Sequence, residues 1–188
     1  MAGRVLIEPV ADAAALRTSV TEQEWRQAAE FASGRRRNEY LSWRAVVRRE
    51  LGRDVKIFYD ETGAPRVDTP DTYISVSHAR DMIAVAIADC RCGIDIESID
   101  RNFDRVADRY LSLRERLLCS DAEWPAMVWC AKEAMYKLYG RRGIALKDDL
   151  IVESYDSVRQ IIGGRMAGAD GCVIRIKKIE DYIVASTI

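Results

Sequence analysis

Two stretches of this chain carry the same alternating pattern, and that repeat constrains the fold more than any other feature. ISVSHARDMIAVAIA, starting at Ile74, can be laid over IRIKKIEDYIVASTI, starting at Ile174, without a gap. Ile74 then falls on Ile174, Asp81 on Asp181 and Ile83 on Ile183. Period-two alternation places the apolar side chains on one sheet face, and the polar Arg80-Asp81 step between two such runs predicts a hairpin. Upstream, the helical stretch ending at Gly52 lies over the one ending at Gly140, so each half reads helix first and hairpin later. The expected fold is α+β, a pseudo-twofold pair of similar halves, residues 1–90 and 91–188, forming one pseudo-dimeric domain. A ligand cleft would lie between them. Chance similarity of two hairpins is the alternative.

The remaining elements follow from caps and breakers. Thr21 with Glu24 makes a capping box, which starts a helix that stops near Ser33 and Gly34. A second helix is expected over 36–51, ended by Gly52. An extended piece over 55–59 precedes a turn around Gly63 and Pro65. A strand over 93–97 follows the first hairpin, then helical segments over 104–110 and 113–119. A longer helix over 125–139 has proline in its first turn and glycine after its end. β segments over 173–177 and 182–187 close the chain.

Composition excludes several classes. The net charge of −1 provides no general basic field for nucleic acid, although Arg35, Arg36 and Arg37, followed by Arg44, Arg48, Arg49 and Arg53, allow a local anion site. No apolar run approaches the roughly 18 residues of a membrane span, and Glu8 and Asp12 interrupt any secretory apolar region. The 5 cysteines show no zinc-ligand spacing, and they read as reduced thiols of a cytoplasmic protein. Neither a Gly-x-x-x-x-Gly-Lys loop nor a Gly-x-Gly-x-x-Gly turn after a strand is present.

Three short motifs offer chemistry. In Gly93-Ile94-Asp95-Ile96-Glu97, alternation sends Ile94 and Ile96 to one face and Asp95 and Glu97 to the other. Two adjacent carboxylates repel, and a hard divalent cation would remove that cost; a solvated acidic edge strand is the alternative. In WCAKEAMYK, Met127, Val128, Ala131, Ala134, Met135 and Leu138 share the core side, which leaves Glu133 and Lys137 together opposite. Such a Glu–Lys pair at i,i+4 equally serves to stabilise a helix. Ser75-Val76-Ser77-His78 ends a strand with the one histidine of the chain, placed either to meet a phosphate or simply at the surface.

Taken in order, RRRNEYLSWR, TGAPR, ISVSH, GIDIE and WCAKEAMYK resemble the 4′-phosphopantetheinyl transferase superfamily, in particular its two-halved type found with surfactin and siderophore synthetases. The resemblance runs from about residue 35 to 140. It implies a magnesium-dependent transferase that moves phosphopantetheine from coenzyme A to a serine of an acyl carrier protein or peptidyl carrier domain, releasing 3′,5′-ADP. It further implies Asp95, Glu97 and Glu133 as Mg²⁺ ligands. Glu133 would help to deprotonate the serine, and Lys137 would stabilise or protonate the leaving group, with Lys132 adding charge nearby. Ser77 and His78, with arginines such as Arg37 and Arg44, would hold the phosphates. Ala64 departs from the pattern, since the family often has lysine between the glycine and proline of that turn. Glu115 falls where the family tends to have a glutamate, but with Ser112 it also makes a capping box, and the cap is the preferred reading.

An internal two-fold would let one chain supply the whole cleft, so a monomer is expected. Two other function classes stay open: a degenerate module that binds coenzyme A or a carrier protein without turnover, and a metal-dependent hydrolase acting on another phosphate.

Overall fold

The computed structural model describes residues 3–188. Strand β1 (Arg4–Pro9) is followed by the short helix α1 (Ala13–Leu16), α2 (Glu22–Ala29) and the long α3 (Gly34–Leu51). A small hairpin, β2 (Ile57–Tyr59) and β3 (Pro65–Val67), leads into the main hairpin β4 (Tyr73–Ala79) and β5 (Met82–Ala88). The second part begins with β6 (Ile94–Ser98), a 3-10 turn over Asp104–Arg109, α4 (Leu113–Arg116) and α5 (Trp124–Tyr139). It closes with β7 (Leu150–Asp156), β8 (Ile161–Met166), β9 (Gly171–Ile179) and β10 (Tyr182–Ser186). No helix among the described residues is long and apolar enough to cross a membrane.

The first sheet is three-stranded in the order β1-β5-β4, and the second is five-stranded in the order β6-β10-β9-β8-β7. The β1-β5-β4 arrangement recurs as β6-β10-β9, with a long helix between the first strand and the hairpin in each case. The two hairpins match in register: Ala79 pairs with Met82 as Ile179 pairs with Tyr182. Their two-residue loops both open with a left-handed residue, Arg80 at φ 51° and Glu180 at φ 49°, as tight hairpins require. Each loop also receives an equivalent backbone bond, Val10 N–H to Asp81 O and Ile99 N–H to Asp181 O. The sequence echo is therefore a repeat of connectivity and register.

Alternation along the strands explains how the layers stack. On β5, Ile83, Val85 and Ile87 pack with Trp43, Val46 and Val47 of α3. The intervening Ala84, Ala86 and Ala88 cluster with Ile94, Ile96 and Val184 of the second sheet, small residues allowing that close approach. The other face of the second sheet, with Ile174, Ile176, Ile183 and Ala185, covers Met127, Val128, Ala131 and Met135 of α5. Strands β4 and β6 are both edges of their sheets. They meet through side chains: Ile94 N–H donates to Ser75 Oγ at 3.1 Å. That seam carries the charged residues described next.

The elements not foreseen in the sequence are β1, the short helix α1, strand β3 and the β7–β8 hairpin. The expected helix and strand positions otherwise hold within a few residues.

Candidate active site

Because Ile94 and Ile96 point to the first sheet, Asp95 and Glu97 must emerge on the side of α5. Gly93 makes the approach possible. A Cβ there would lie 1.9 Å from Ala134 O and 2.9 Å from Leu138 N, so only glycine lets the start of β6 run against α5. On α5, Trp129, Glu133 and Lys137 are spaced four apart and share one face. Lys137 Nζ donates to Asp95 Oδ1 and to Ile94 O, both at 2.8 Å. Ser77 Oγ donates to the same Asp95 oxygen at 2.7 Å. The Glu97 carboxylate accepts from Trp129 Nε1 at 3.0 Å and from Arg101. Arg101 in turn stacks 4.5 Å from the Trp129 ring centre.

The electrostatics are those of crowded carboxylates. Burial and the Asp95 charge push Glu97 up to about 7, against partial relief from Arg101 and the Trp129 N–H. Glu133 is raised by the same two causes, burial first, with Lys137 and Arg101 opposing. Asp95 is 5% exposed, and its Oδ2 is buried with no hydrogen-bond partner. An ionised oxygen in that position is costly unless a cation meets it. No group of three or more His, Cys, Asp or Glu side chains among the described residues is gathered into a ready metal cage. The donor chemistry nevertheless suits a hard divalent ion: an orphaned carboxylate oxygen beside two carboxylates whose own charge is disfavoured.

His78 sits half-buried at the end of β4. Arg36 donates to its Nε2 at 2.7 Å, since a guanidinium can only donate; the imidazole is then neutral, with its Nδ1 proton toward Glu39 Oε2 at 3.5 Å. Burial, Arg36, Lys137 and Arg35 hold its pKa below the ordinary value, and Glu39 opposes them. Next to these residues is a cavity of 260 Å³. One wall is the β2–β3 turn with Ala64 and Arg66, the floor is Ile74, Val76 and Cys92, and the other wall is Glu133, Lys137 and Arg141.

Asp95, Glu97, Glu133, Lys137, Ser77 and His78 are thus brought to one seam. Three expected members lie elsewhere. Lys132 is fully buried and faces the core: its Nζ meets Glu115 Oε1 at 2.8 Å and Tyr110 O at 2.7 Å. One residue along a helix is about 100° around it, so Lys132 cannot share the face of Glu133. Glu115 also accepts from Ser112 N–H and Val152 N–H, so the capping box is real and the carboxylate does more than cap. Arg44 is 2% exposed, lies 3.4 Å from the Tyr40 ring centre and donates to Tyr59 Oη. Arg37 donates to Ala28 O and Phe31 O. Arg37, Tyr40 and Arg44 share the α3 face that looks toward α2, whereas Arg36 and Glu39 reach His78. Trp129, Arg101 and Glu39 are the members that sequence reasoning missed. The available signal was spacing: Trp129 is four before Glu133 and Arg101 four after Glu97.

A comparison with protein families matches residues 91–185 to the 4′-phosphopantetheinyl transferase superfamily. The match takes in β6, α5 and most of the second sheet, just over half of the chain, and the chain belongs to that superfamily. No curated protein matches it. Family and fold together define a transferase with an α+β architecture.

Proposed function

We propose that this protein transfers 4′-phosphopantetheine from coenzyme A to a serine of an acyl or peptidyl carrier protein, giving the holo-carrier and 3′,5′-ADP. The observation that carries this reading is the juxtaposition at the β4–β6 seam. The buried, partnerless Asp95 Oδ2 stands beside Glu97 and Glu133, and Lys137 is held on the same Asp95 at the cavity wall.

Asp95, Glu97 and Glu133 would hold Mg²⁺, which when bound neutralises pyrophosphate charge and favours attack at phosphorus. Glu133 accepts no hydrogen bond from a described residue and lines the cavity, so its carboxylate is the free base for the serine hydroxyl, directly or through a water. The serine oxygen forms the new bond to phosphorus, the bond to the ADP oxygen breaks, and the proton passes to Glu133. Lys137 faces the charge that develops on the leaving phosphate. Trp129 and Arg101 fix the Glu97 carboxylate; to meet the nucleotide phosphates, His78 would exchange its contact with Arg36 or Glu39, and Ser77 its bond to Asp95, for a phosphate oxygen.

Residues 1–90 and 91–188 act as two halves of one domain, each giving one wall of the cleft, which supports a monomer as the working unit. The 5 free cysteines support a reducing, cytoplasmic setting. The test is the release of 3′,5′-ADP from coenzyme A with Mg²⁺, with and without an apo-carrier protein. Release that requires the carrier supports transfer; equal release without it would point to a hydrolase.

A further inference from the structure

The repeat that joins the two halves gives the acting residues of the seam counterparts in the first half. Glu97 pairs across its ladder with Ile183 and Asp95 with Ala185, as Glu8 pairs with Ile83 and Leu6 with Val85. The two long helices both end on a glycine of positive φ, Gly52 and Gly140. Aligned on those glycines, Ala45 stands where Glu133 stands and Arg49 where Lys137 stands. Glu8, Ala45, Arg49 and Ile83 line a second cavity, of about 440 Å³, that shares no lining residue with the cavity at the seam.

The exchanges change its chemistry. With Leu6 in place of Asp95 and Ala45 in place of Glu133, one carboxylate is left, and Arg49 clasps it: Nη1 lies 3.0 Å from Glu8 Oε2 and Nη2 2.5 Å from Oε1. That guanidinium holds the Glu8 carboxyl below its ordinary range. A hard divalent ion finds no free carboxylate there. Of the arginines singled out in the sequence, Arg48 is committed to Glu24, and Arg49 to Glu8 and Glu50. Arg53 has no carboxylate partner among the described residues; its Nη2 donates to Thr18 O at 2.7 Å. Gly52 and a bond from Arg48 Nη1 to Arg53 O fix where Arg53 leaves the helix. Leu16, Val46 and Ile83 give the cavity an apolar lining, and the last two are buried.

We infer that this first-half cavity is a second ligand site, independent of the transferase reading, for an amphipathic monocarboxylate. The carboxylate sits on Arg53, and a short hydrocarbon chain lies against Leu16, Val46 and Ile83. Charge decides between classes of anion. One cation without an acidic partner balances one negative charge, whereas a pyrophosphate would keep most of its charge uncompensated with no metal beside it. The lining favours a hydrocarbon body, since each methylene withdrawn from water onto it adds affinity. A guanidinium fork matches the two oxygens of a carboxylate, and the single bond to Thr18 O leaves most of its N–H donors for that task. The Thr18 and Ser19 side chains, also at the cavity, offer hydroxyl donors beside it.

The experiment titrates the full chain in EDTA with butyrate, hexanoate, 1-hexanol and inorganic phosphate, by calorimetry and by methyl NMR. Hexanoate should shift the methyl signals of Leu16, Val46 and Ile83 and leave those of Ile74 and Val76, in the seam cavity, in place. It should bind more tightly than butyrate by roughly fourfold per methylene. Arg53→Ala should weaken hexanoate binding roughly 10- to 100-fold, and Arg53→Lys by less, with thermal unfolding run alongside. The methyl shifts and the ligand series are read on the unchanged chain, so they decide the matter even if a variant loses stability. Equal binding of 1-hexanol, phosphate binding as tight as that of hexanoate, shifts at Ile74 and Val76 instead, an unaltered affinity in Arg53→Ala, or no binding at all would each overturn the assignment. The transferase reading of the seam would stand in every one of those cases.

Discussion

Replacing Glu97 by glutamine isolates the cost of crowding three carboxylates at one seam. The side chain is 19% exposed, and burial with the Asp95 charge raises its pKa from an ordinary 4.5 to about 7. Between those values the native protein retains a proton that the unfolded chain has released. Stability therefore falls as pH rises from about 4.5 to about 7, and the loss is complete above that. At 1.36 kcal/mol per pKa unit the full loss is about 3 kcal/mol. Glutamine mimics the protonated form and still accepts from Trp129 Nε1. Arg101 loses its partner, a half-exposed pair worth about 1 kcal/mol or less. In EDTA, Glu97→Gln should be more stable than the unchanged protein at about pH 8 by roughly 2 kcal/mol, a shift of about 4–8 °C in Tm. The gap should close by about pH 5. Urea unfolding at the two pH values, with EDTA and then with Mg²⁺, measures it. Mg²⁺ should stabilise the unchanged protein more at the higher pH, because protons and the metal compete for the same oxygens. A stability gap that does not change with pH would refute the reasoning.

Two further substitutions test the supports of the site. Gly93→Ala should cost about 3 kcal/mol or more, because the new Cβ would meet Ala134 O at 1.9 Å and both partners are backbone; chemical denaturation would show it, and a cost under about 1 kcal/mol would contradict the close approach of β6 to α5. Lys132→Met should destabilise by about 3–5 kcal/mol by stranding the buried Glu115, and in a double-mutant cycle the Lys132→Met/Glu115→Leu pair should cost less than the two single changes added together.

Much of this architecture could be read from particular residues. The MIAVAIA alternation of β5 sorts isoleucine and valine to α3 and alanine to the second sheet, and both hairpins were visible for that reason. Thr21, Gly52, Pro125 and Gly140 marked helix ends by their local chemistry. The β7–β8 hairpin was hidden because a bulge between Val152 and Ser154 breaks the alternation. Gly163 and Gly164, poor strand formers, are also there for lack of room. A Cβ at Gly163 would lie 2.5 Å from Ser154 Oγ, and one at Gly164 would lie 2.9 Å from Met135 Sδ. Strand β1 is a six-residue edge with a mixed burial pattern, so its periodicity is faint. At the seam, the faces taken by Asp95, Glu97, Glu133 and Lys137 were legible because spacing alone fixes them. Arg37, Arg44 and Lys132 lie away from the seam, because a motif names residues without fixing which way a helix turns them. Trp129, Arg101 and Glu39 act through their neighbours, and that role depends on distances between elements.

Transfer to a carrier protein is the most direct test of the proposed site. The measurement is the intact mass of an apo-carrier protein incubated with this protein, coenzyme A and Mg²⁺. A gain of one phosphopantetheine, abolished by EDTA, by Asp95→Ala and by Glu133→Ala, is the predicted result. Full transfer by Asp95→Ala would contradict the carboxylate site, and coenzyme A binding with no mass gain on any carrier would make the protein a binding module instead.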